Sequence, residues 1–267
     1  MIKEIEQIKY HIEITGQGKP LICLHGFAEN YSTWNQLHLE GYKLYKIDFI
    51  GHGNSEKPEE QSYYTLPIML SHLHELILDV VGSSYSILGY SMGGRIGTIY
   101  ALNYEKEIKA LLLESSSFGI EKDNDRAKRY EKDRILAENI LKNGIQWFQE
   151  YWSGQEIFET QKDLPDSVKR EIKKRRLQNK ENALANTLLG SGQGIFPYCG
   201  KRLEMVSFPV LYICGNMDKK YTQIGKTAQG QYKNFLFRSV LNAGHNVHLE
   251  QSETYCRIVQ EFLDKNE

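Results

Sequence analysis

The chain has 267 residues, 40% of them hydrophobic and 25% charged, which suits a globular protein with one large α/β domain and an insertion. Its formal net charge of -1 supplies neither the basic field that nucleic acid requires nor an acidic tail. No run approaches the 18 apolar residues of a membrane span, the opening Met-Ile-Lys-Glu-Ile-Glu lacks a signal peptide's apolar region, and Cys23, Cys199, Cys214 and Cys256 show no CxxC spacing, so the expected setting is a reducing cytoplasm with buried thiols.

Residues 5 to 14 alternate loosely and end at Gly16-Gln17-Gly18, which predicts one or two antiparallel edge strands. Pro20 to Leu24 is a short continuous apolar run, the mark of a strand buried on both faces, and it closes in His25-Gly26-Phe27. Trp34 and Leu37 stand at helical spacing, so residues 30 to 40 predict a short helix. Residues 42 to 48 predict a strand followed by Gly51-His52-Gly53, a packed turn in which His52 has a structural role, because no carboxylate follows at a spacing that would orient it as a base. Residues 65 to 80 predict an amphipathic helix. His72 and His74 lie about 200° apart on it, so they cannot share a metal.

An apolar strand then runs into Gly89-Tyr90-Ser91-Met92-Gly93 and a helical segment over 94 to 104. A serine on a sharp turn between strand and helix is the context of a nucleophile elbow, and the flanking glycines leave the space that the turn needs. The Met92 N–H lies at a helix N-terminus, where developing negative charge is favoured. The loop after the earlier strand is expected to supply a second such N–H, from Phe27. Residues 108 to 114 predict another buried strand. The alternation of strand and helix is the doubly wound α/β signature, a mostly parallel sheet with helices on both faces.

The period breaks at residue 119. Residues 119 to 204 are charged, helical and rich in aromatics, and the next strand is Phe208 to Gly215. The expected organisation is a core of residues 1–118 and 205–267 with a helical lid of 119–204 over Ser91. Asp218 follows that strand, a last strand covers 235 to 240, Gly244-His245 comes next, and a helix is expected over 251 to 264. Ser91, Asp218 and His245 each lie just past a strand, in the chain order of the α/β-hydrolase triad. His245 can take a proton from Ser91 near neutral pH while Asp218 fixes its tautomer. His248 is a rival base without the small Ala-Gly approach.

The whole chain resembles the α/β-hydrolase superfamily through His25-Gly26-Phe27, Asp48 to Ser55, Gly89 to Gly94, Gly215 to Asp218 and Gly244-His245. Within it, Arg95 after the elbow, Arg126-Ala127-Lys128-Arg129 with Asp133, Trp152 before Ile157-Phe158, and Arg176-Leu177-Gln178-Asn179 resemble the 2-succinyl-6-hydroxy-2,4-cyclohexadiene-1-carboxylate synthases of menaquinone biosynthesis. The resemblance implies a lyase that eliminates pyruvate from a tricarboxylate, with Ser91, His245 and Asp218 as the base, Phe27 and Met92 N–H groups on the enolate oxygen, and no metal or organic cofactor. It implies substrate contacts from Tyr90, Arg95, Arg126, Arg129, Trp152 and Arg176, a small-molecule partner only, and a monomer or small homo-oligomer. Six of the ten arginines fall in residues 121 to 180; Arg134, Arg170 and Arg175 are assigned there to a solvated face. Phe118 stands where the family is expected to have proline, and Ala28 where a serine is expected. Gly190 to Gly194 resembles the family's Gly-rich lid exit and lacks the Lys-Ser/Thr ending of a phosphate loop. The rival readings are an esterase or carbon–carbon bond hydrolase of the same fold, and a ligand-binding protein without catalysis.

Overall fold

The computed structural model describes residues 1–266. Two antiparallel strands, β1 (Ile2–Ile5) and β2 (Ile8–Gly16), are joined by Glu6 and Gln7, both at positive φ (46° and 69°). That turn needs left-handed backbone at two residues that carry side chains, which is why loose alternation alone left one strand or two open. There follow β3 (Lys19–Leu24), β4 (Tyr42–Ile47), β5 (Tyr85–Tyr90), β6 (Ile108–Glu114), β7 (Val210–Gly215) and β8 (Phe235–Val240), in one sheet of order β1-β2-β4-β3-β5-β6-β7-β8. β3 through β8 are parallel, and β2 pairs antiparallel with β4.

Every residue of β5 and β7 is buried, because helices cover both faces of the sheet. Side chains alternate between two cores. Cys23, Leu88, Leu112 and Ile213 meet Trp34, Val259 and Leu263 on one face; Leu24, Ile87, Leu111 and Tyr212 meet Leu73, Leu76 and Ile96 on the other. Burial of each such side chain stabilises by roughly 1.5–3 kcal/mol relative to exposure. A strand held that firmly can carry a strained turn at its end.

Helices α1 (Leu66–Val80) and α2 (Met92–Asn103) flank β5. Between β6 and β7 lie α3 (Asp123–Ser153), α4 (Asp166–Leu177), α5 (Glu181–Ser191) and the single turn α6 (Gly200–Leu203). α3 is kinked at Gly144 (φ 84°, ψ 175°). The kink frees the Ile145 N–H, which donates to Glu181 Oε1 at 3.0 Å, so an α5 carboxylate caps the second half of α3. The segment leaves and rejoins the sheet at one place: Cys199 N–H donates to Phe118 O at 2.8 Å, and the buried Phe118 ring packs on Tyr212, Tyr232 and Phe235. Phe118 thus anchors that junction by aromatic burial. After β7 come α7 (Lys219–Gln231), α8 (Val247–Glu250) and α9 (Ser252–Asn266).

Two expected elements differ. The helix over 30 to 40 is one 3₁₀ turn, Tyr31–Trp34, begun by the Asn30 side chain accepting from Ser32 N–H at 3.0 Å; the buried Trp34 pins it and Gly41 ends the connection at φ 75°. The helix after the elbow starts at Met92, directly beyond the serine. The closing helix expected over 251 to 264 is α9, set off from the short α8 before it at Gln251 (φ -141°, ψ 55°). All four cysteines are free, and Cys256 is only half-buried. Among the described residues no helix is long and apolar enough to cross a membrane.

His25 and His52 are both fully buried. His25 Nδ1 donates to Gly26 O at 2.7 Å and Nε2 accepts from Phe49 N–H at 3.1 Å. His52 Nδ1 donates to Ile50 O at 3.1 Å. Burial, then the neighbouring His25, pushes His52 down to about 3 from 6.5, so the unfolded chain takes up a proton that the folded chain refuses. The resulting contribution to stability is whole above pH 6.5 and is lost as pH falls from 6.5 toward about 3. Urea midpoints across that window should fall less steeply for His52→Gln than for the wild type; parallel profiles would contradict this.

Candidate active site

The parallel strands direct their C-terminal ends to one edge, and the residues that follow them collect there. At the end of β5, Ser91 has φ 51° and ψ -105°, a region costly for a residue with a side chain. Its N–H donates to Glu114 O at 2.9 Å, and its carbonyl accepts from Arg95 N–H at 3.1 Å and from Ser116 Oγ at 3.1 Å. The turn is therefore held by β6 on one side and by α2 on the other. Two glycines are required by their surroundings. A Cβ on Gly89 would lie 2.5 Å from Gly93 O, and one on Gly93 would strike the carbonyls of Leu24 and His25.

His245 Nε2 lies 3.1 Å from Ser91 Oγ, and His245 Nδ1 lies 2.7 Å from Asp218 Oδ2. His245 is buried, and Asp218 is fixed in turn as the N-cap of α7, accepting from Tyr221 N–H at 3.3 Å. With its Nδ1 proton held on Asp218, the imidazole presents Nε2 as an acceptor to the serine hydroxyl. Such a row can draw the Ser91 proton away, and so serves either attack on a carbonyl or removal of a proton from carbon. His248 does not compete. Its Nδ1 sits 2.8 Å from each oxygen of the fully buried Glu114, and the Tyr90 ring packs between the two histidines, 4.9 Å from His248 and 5.4 Å from His245.

A cavity of about 330 Å³ opens above Ser91, lined by Phe27, Met92, Arg95, Arg129, Trp152 and His245 among others. Met92 begins α2, so its N–H has no intrahelical acceptor. One wall is aromatic: Trp152 packs on Phe27 (5.4 Å), Phe148 (5.6 Å) and Phe158 (5.8 Å), and Phe158 reaches the His245 ring at 6.0 Å. The other side is cationic. Arg95 lies one helical turn after Ser91, is 8% exposed and stacks over Phe196 at 5.8 Å. Among the described residues no carboxylate lies within ion-pair distance of it. Burial draws its guanidinium down to about 10, which leaves it a cation at neutral pH.

The expected arginines are placed differently from one another. Arg129 lines the cavity, but its Nε is 2.8 Å from the buried Asp133 and its Nη1 bonds Gln193. Arg176, 2% exposed, sits behind the aromatic wall, 4.8 Å over the Phe158 ring. It donates to Ser153 Oγ (2.7 Å) and Gln161 Oε1 (3.3 Å), both neutral. Burial lowers its guanidinium pKa, partly offset by Glu29. Arg126 is a correction: its side chain, 33% exposed, pairs with Asp123 at 2.6 Å and does not line the cavity, being one turn too early on α3. Arg175 is another. It was assigned to solvent and is instead 8% exposed, with Nε 3.2 Å from Glu29 Oε2. Ala28, where a serine was expected, is fully buried against Phe148 and Leu184, at φ 59°.

Sequence reasoning did not single out Lys132, Gln193, Lys220 and Tyr221, which also line the cavity. Tyr221 stands three residues after Asp218, on the first turn of α7, with its ring 4.9 Å from that of His245. No motif marks these positions. The buried face of α4 was legible: Ile172, Arg175, Arg176 and Asn179 fall at i, i+3, i+4 and i+7.

Residues 19–252 match the family model for the α/β hydrolase fold, and the chain belongs to that fold family. A Bacillus subtilis (strain 168) protein, provisionally named 2-succinyl-6-hydroxy-2,4-cyclohexadiene-1-carboxylate synthase, is 35% identical over 245 residues, 91% of this chain and 89% of its own. A Yersinia enterocolitica protein of that name is 29% identical over 253 residues, 93% of this chain and 88% of its own. The solved structure of MenH from S. aureus superposes with a TM-score of 0.89 at 26% identity, covering 98% of this chain and 99% of that one. Within the α/β hydrolases, this chain belongs to the 2-succinyl-6-hydroxy-2,4-cyclohexadiene-1-carboxylate synthase family. A thermophilic esterase from Thermogutta terrifontis shares the fold, with a TM-score of 0.85 at 22% identity over 97% of this chain and 94% of that one.

Because a Cβ at position 93 meets backbone carbonyls of β3 and its exit, Gly93→Ala should destabilise by about 1–3 kcal/mol, read as a lower urea midpoint. An unchanged midpoint would contradict the packing described.

Proposed function

We propose that this chain is a carbon–oxygen lyase of menaquinone biosynthesis. It eliminates pyruvate from 2-succinyl-5-enolpyruvyl-6-hydroxy-3-cyclohexene-1-carboxylate to give 2-succinyl-6-hydroxy-2,4-cyclohexadiene-1-carboxylate. The observation that carries this reading is the pair of buried guanidiniums, Arg95 and Arg176, that among the described residues have no carboxylate partner at ion-pair distance. Burying a charge without a counter-ion costs several kcal/mol, and an anionic ligand with charge-assisted hydrogen bonds offsets it. The substrate named carries three carboxylates. Arg95, Arg129 and Arg176 are the proposed partners, and Lys132 and Lys220 add positive charge at the cavity mouth. Arg126 is not among them.

In this reading Asp218 and His245 make Ser91 a base. Ser91 Oγ removes the ring proton at C2, beside the succinyl ketone, as its own proton passes to His245 Nε2. The C2 electrons become an enolate whose oxygen the Phe27 and Met92 N–H groups hold. Their return forms C2=C3, the C3=C4 pair moves to C4=C5, and the C5–O bond breaks. The departing enolate of pyruvate takes on carbon the proton held by His245, which returns His245 to the neutral form with Ser91 again a hydroxyl. The reaction so written uses no metal and no organic cofactor. Residues 119–204 act as a lid on the core of 1–118 and 205–267. Tyr90 supports His245, and Trp152 excludes water and orients the ring.

The same Ser-His-Asp row also suits ester hydrolysis, through an acyl-enzyme. A polar, cationic cavity favours the elimination, since an ester with an uncharged acyl group leaves Arg95 without a counter-ion. A protein that only binds ligand would have no use for the 3.1 Å and 2.7 Å contacts of the row.

Enzymatically prepared substrate, with pyruvate followed through a coupled dehydrogenase, tests the reading. Ser91→Ala should lower kcat by a factor on the order of 10³ or more. Arg95→Ala should reduce kcat/KM about 100-fold, the loss of one charge-assisted contact, while p-nitrophenyl acetate hydrolysis stays slow throughout. Rapid ester turnover without pyruvate release would establish the esterase instead.

A further inference from the structure

Glu29 lies two residues beyond Phe27, in the loop that leaves β3, and is only 4% exposed. Thr33 Oγ1 donates to its Oε2 at 3.1 Å, and Arg175 Nε is 3.2 Å from the same oxygen. Burial alone would raise this carboxyl. Arg175, and after it Arg176, outweigh burial and hold it below the ordinary carboxylate value. A second tie runs alongside the first. Asn179 Nδ2 donates to Ala28 O at 3.1 Å, so the end of α4 and the residues just after it grip the loop at two successive residues.

The grip falls on a strained place. Ala28 has φ 59°, left-handed backbone that costs a residue with a side chain on the order of 1 kcal/mol and persists only where neighbours over-determine it. The peptide before that residue carries the Ala28 N–H, and the one before it the Phe27 N–H. Rotation of Ala28 out of the left-handed region would swing both. Phe27 itself is only half-buried, so its own packing on His52, Phe148 and Trp152 is not the whole of what holds it.

The two arginines divide by the same contact. Arg175 and Arg176 are consecutive and both buried, with one carboxylate near them. Glu29 takes Arg175 as its ion-pair partner. Arg176 turns to Ser153 and Gln161, which are neutral, and packs over the Phe158 ring.

We propose that Glu29 is a positioning residue: through Arg175 it holds the left-handed Ala28 turn, and with it the Phe27 N–H. This rests on the elimination proposed above. Glu29 touches neither substrate nor Ser91. Its effect therefore appears in the rate of the step that the Phe27 N–H assists and not in binding.

Glu29→Gln, Arg175→Lys and the double variant Glu29→Gln/Arg175→Met separate this from an ion pair that only stabilises the fold. Steady-state pyruvate release and the thermal midpoint are measured on the same preparations. Glu29→Gln should lower kcat about 10- to 100-fold, the cost of a misplaced contact, with KM changed less than about twofold. Arg175→Lys, which keeps the pair, should retain most of kcat. The double variant removes the uncompensated charge, so its thermal midpoint should recover toward the wild type while its kcat stays low. It carries the test even where Glu29→Gln alone does not fold. Recovery of kcat together with the midpoint, or a Glu29→Gln kcat equal to the wild type, would overturn the positioning role. A wild-type chain that releases no pyruvate would overturn the elimination itself, and this inference with it.

Discussion

One backbone conformation organises this molecule: Ser91 at φ 51°, ψ -105°, between β5 and α2. A fully buried parallel strand supplies the stability that such a turn consumes. Gly89 and Gly93 are the only residues that fit beside it, since any Cβ there meets backbone. Gly26 belongs to the same arrangement, because a Cβ at that position would lie 2.6 Å from the Tyr90 ring. With Ser91 fixed, the loops after β7 and β8 need only bring Asp218 and His245 to one place, and the sheet register does that.

Charge is what distinguishes this site from other uses of the same fold. The chain as a whole is nearly neutral, so no long-range field draws an anion in. Positive charge is placed locally instead: Arg95 and Arg176 are buried with no carboxylate at ion-pair distance among the described residues, whereas Arg129 and Arg175 each have one, Asp133 and Glu29. Four arginines are thus sorted into two that a carboxylate pairs, of which Arg129 also lines the cavity, and two that have none at ion-pair distance among the described residues. Phe27, Trp152 and Phe158 form an apolar wall of the same cavity, which offers those charges no polar partner.

Much of this was legible in the residues. β5 and β7 lie in apolar runs, and Ser91, Asp218 and His245 come one, three and five residues after the ends of β5, β7 and β8, so chain order and position pointed to the row. Arg95 entered through the family resemblance, as the residue into which the elbow continues. The turn at Glu6-Gln7 was not, because neither residue belongs to the Gly and Asn set that signals left-handed backbone. Arg175 was misread because it sits in Lys173-Lys174-Arg175-Arg176, where four successive cations look like a solvated face. The inward period running from Ile172 to Asn179 carried the information that the charge run concealed. Arg126 failed for the opposite reason: it has the right residue type on the right helix, three positions before Arg129, and a turn of helix is enough to carry it past the cavity. Lys220 and Tyr221 acquire their places only from the fold, through the way Asp218 starts α7.

The central claim is that the activated serine here acts on a proton of a bound polyanion and forms no bond to substrate carbon. Intact-mass measurement of the protein, acid-quenched during steady-state turnover of the tricarboxylate, addresses this directly. The account predicts the mass of the unmodified chain at every time while pyruvate accumulates. A covalent increment on Ser91 that rises and decays with turnover would contradict it.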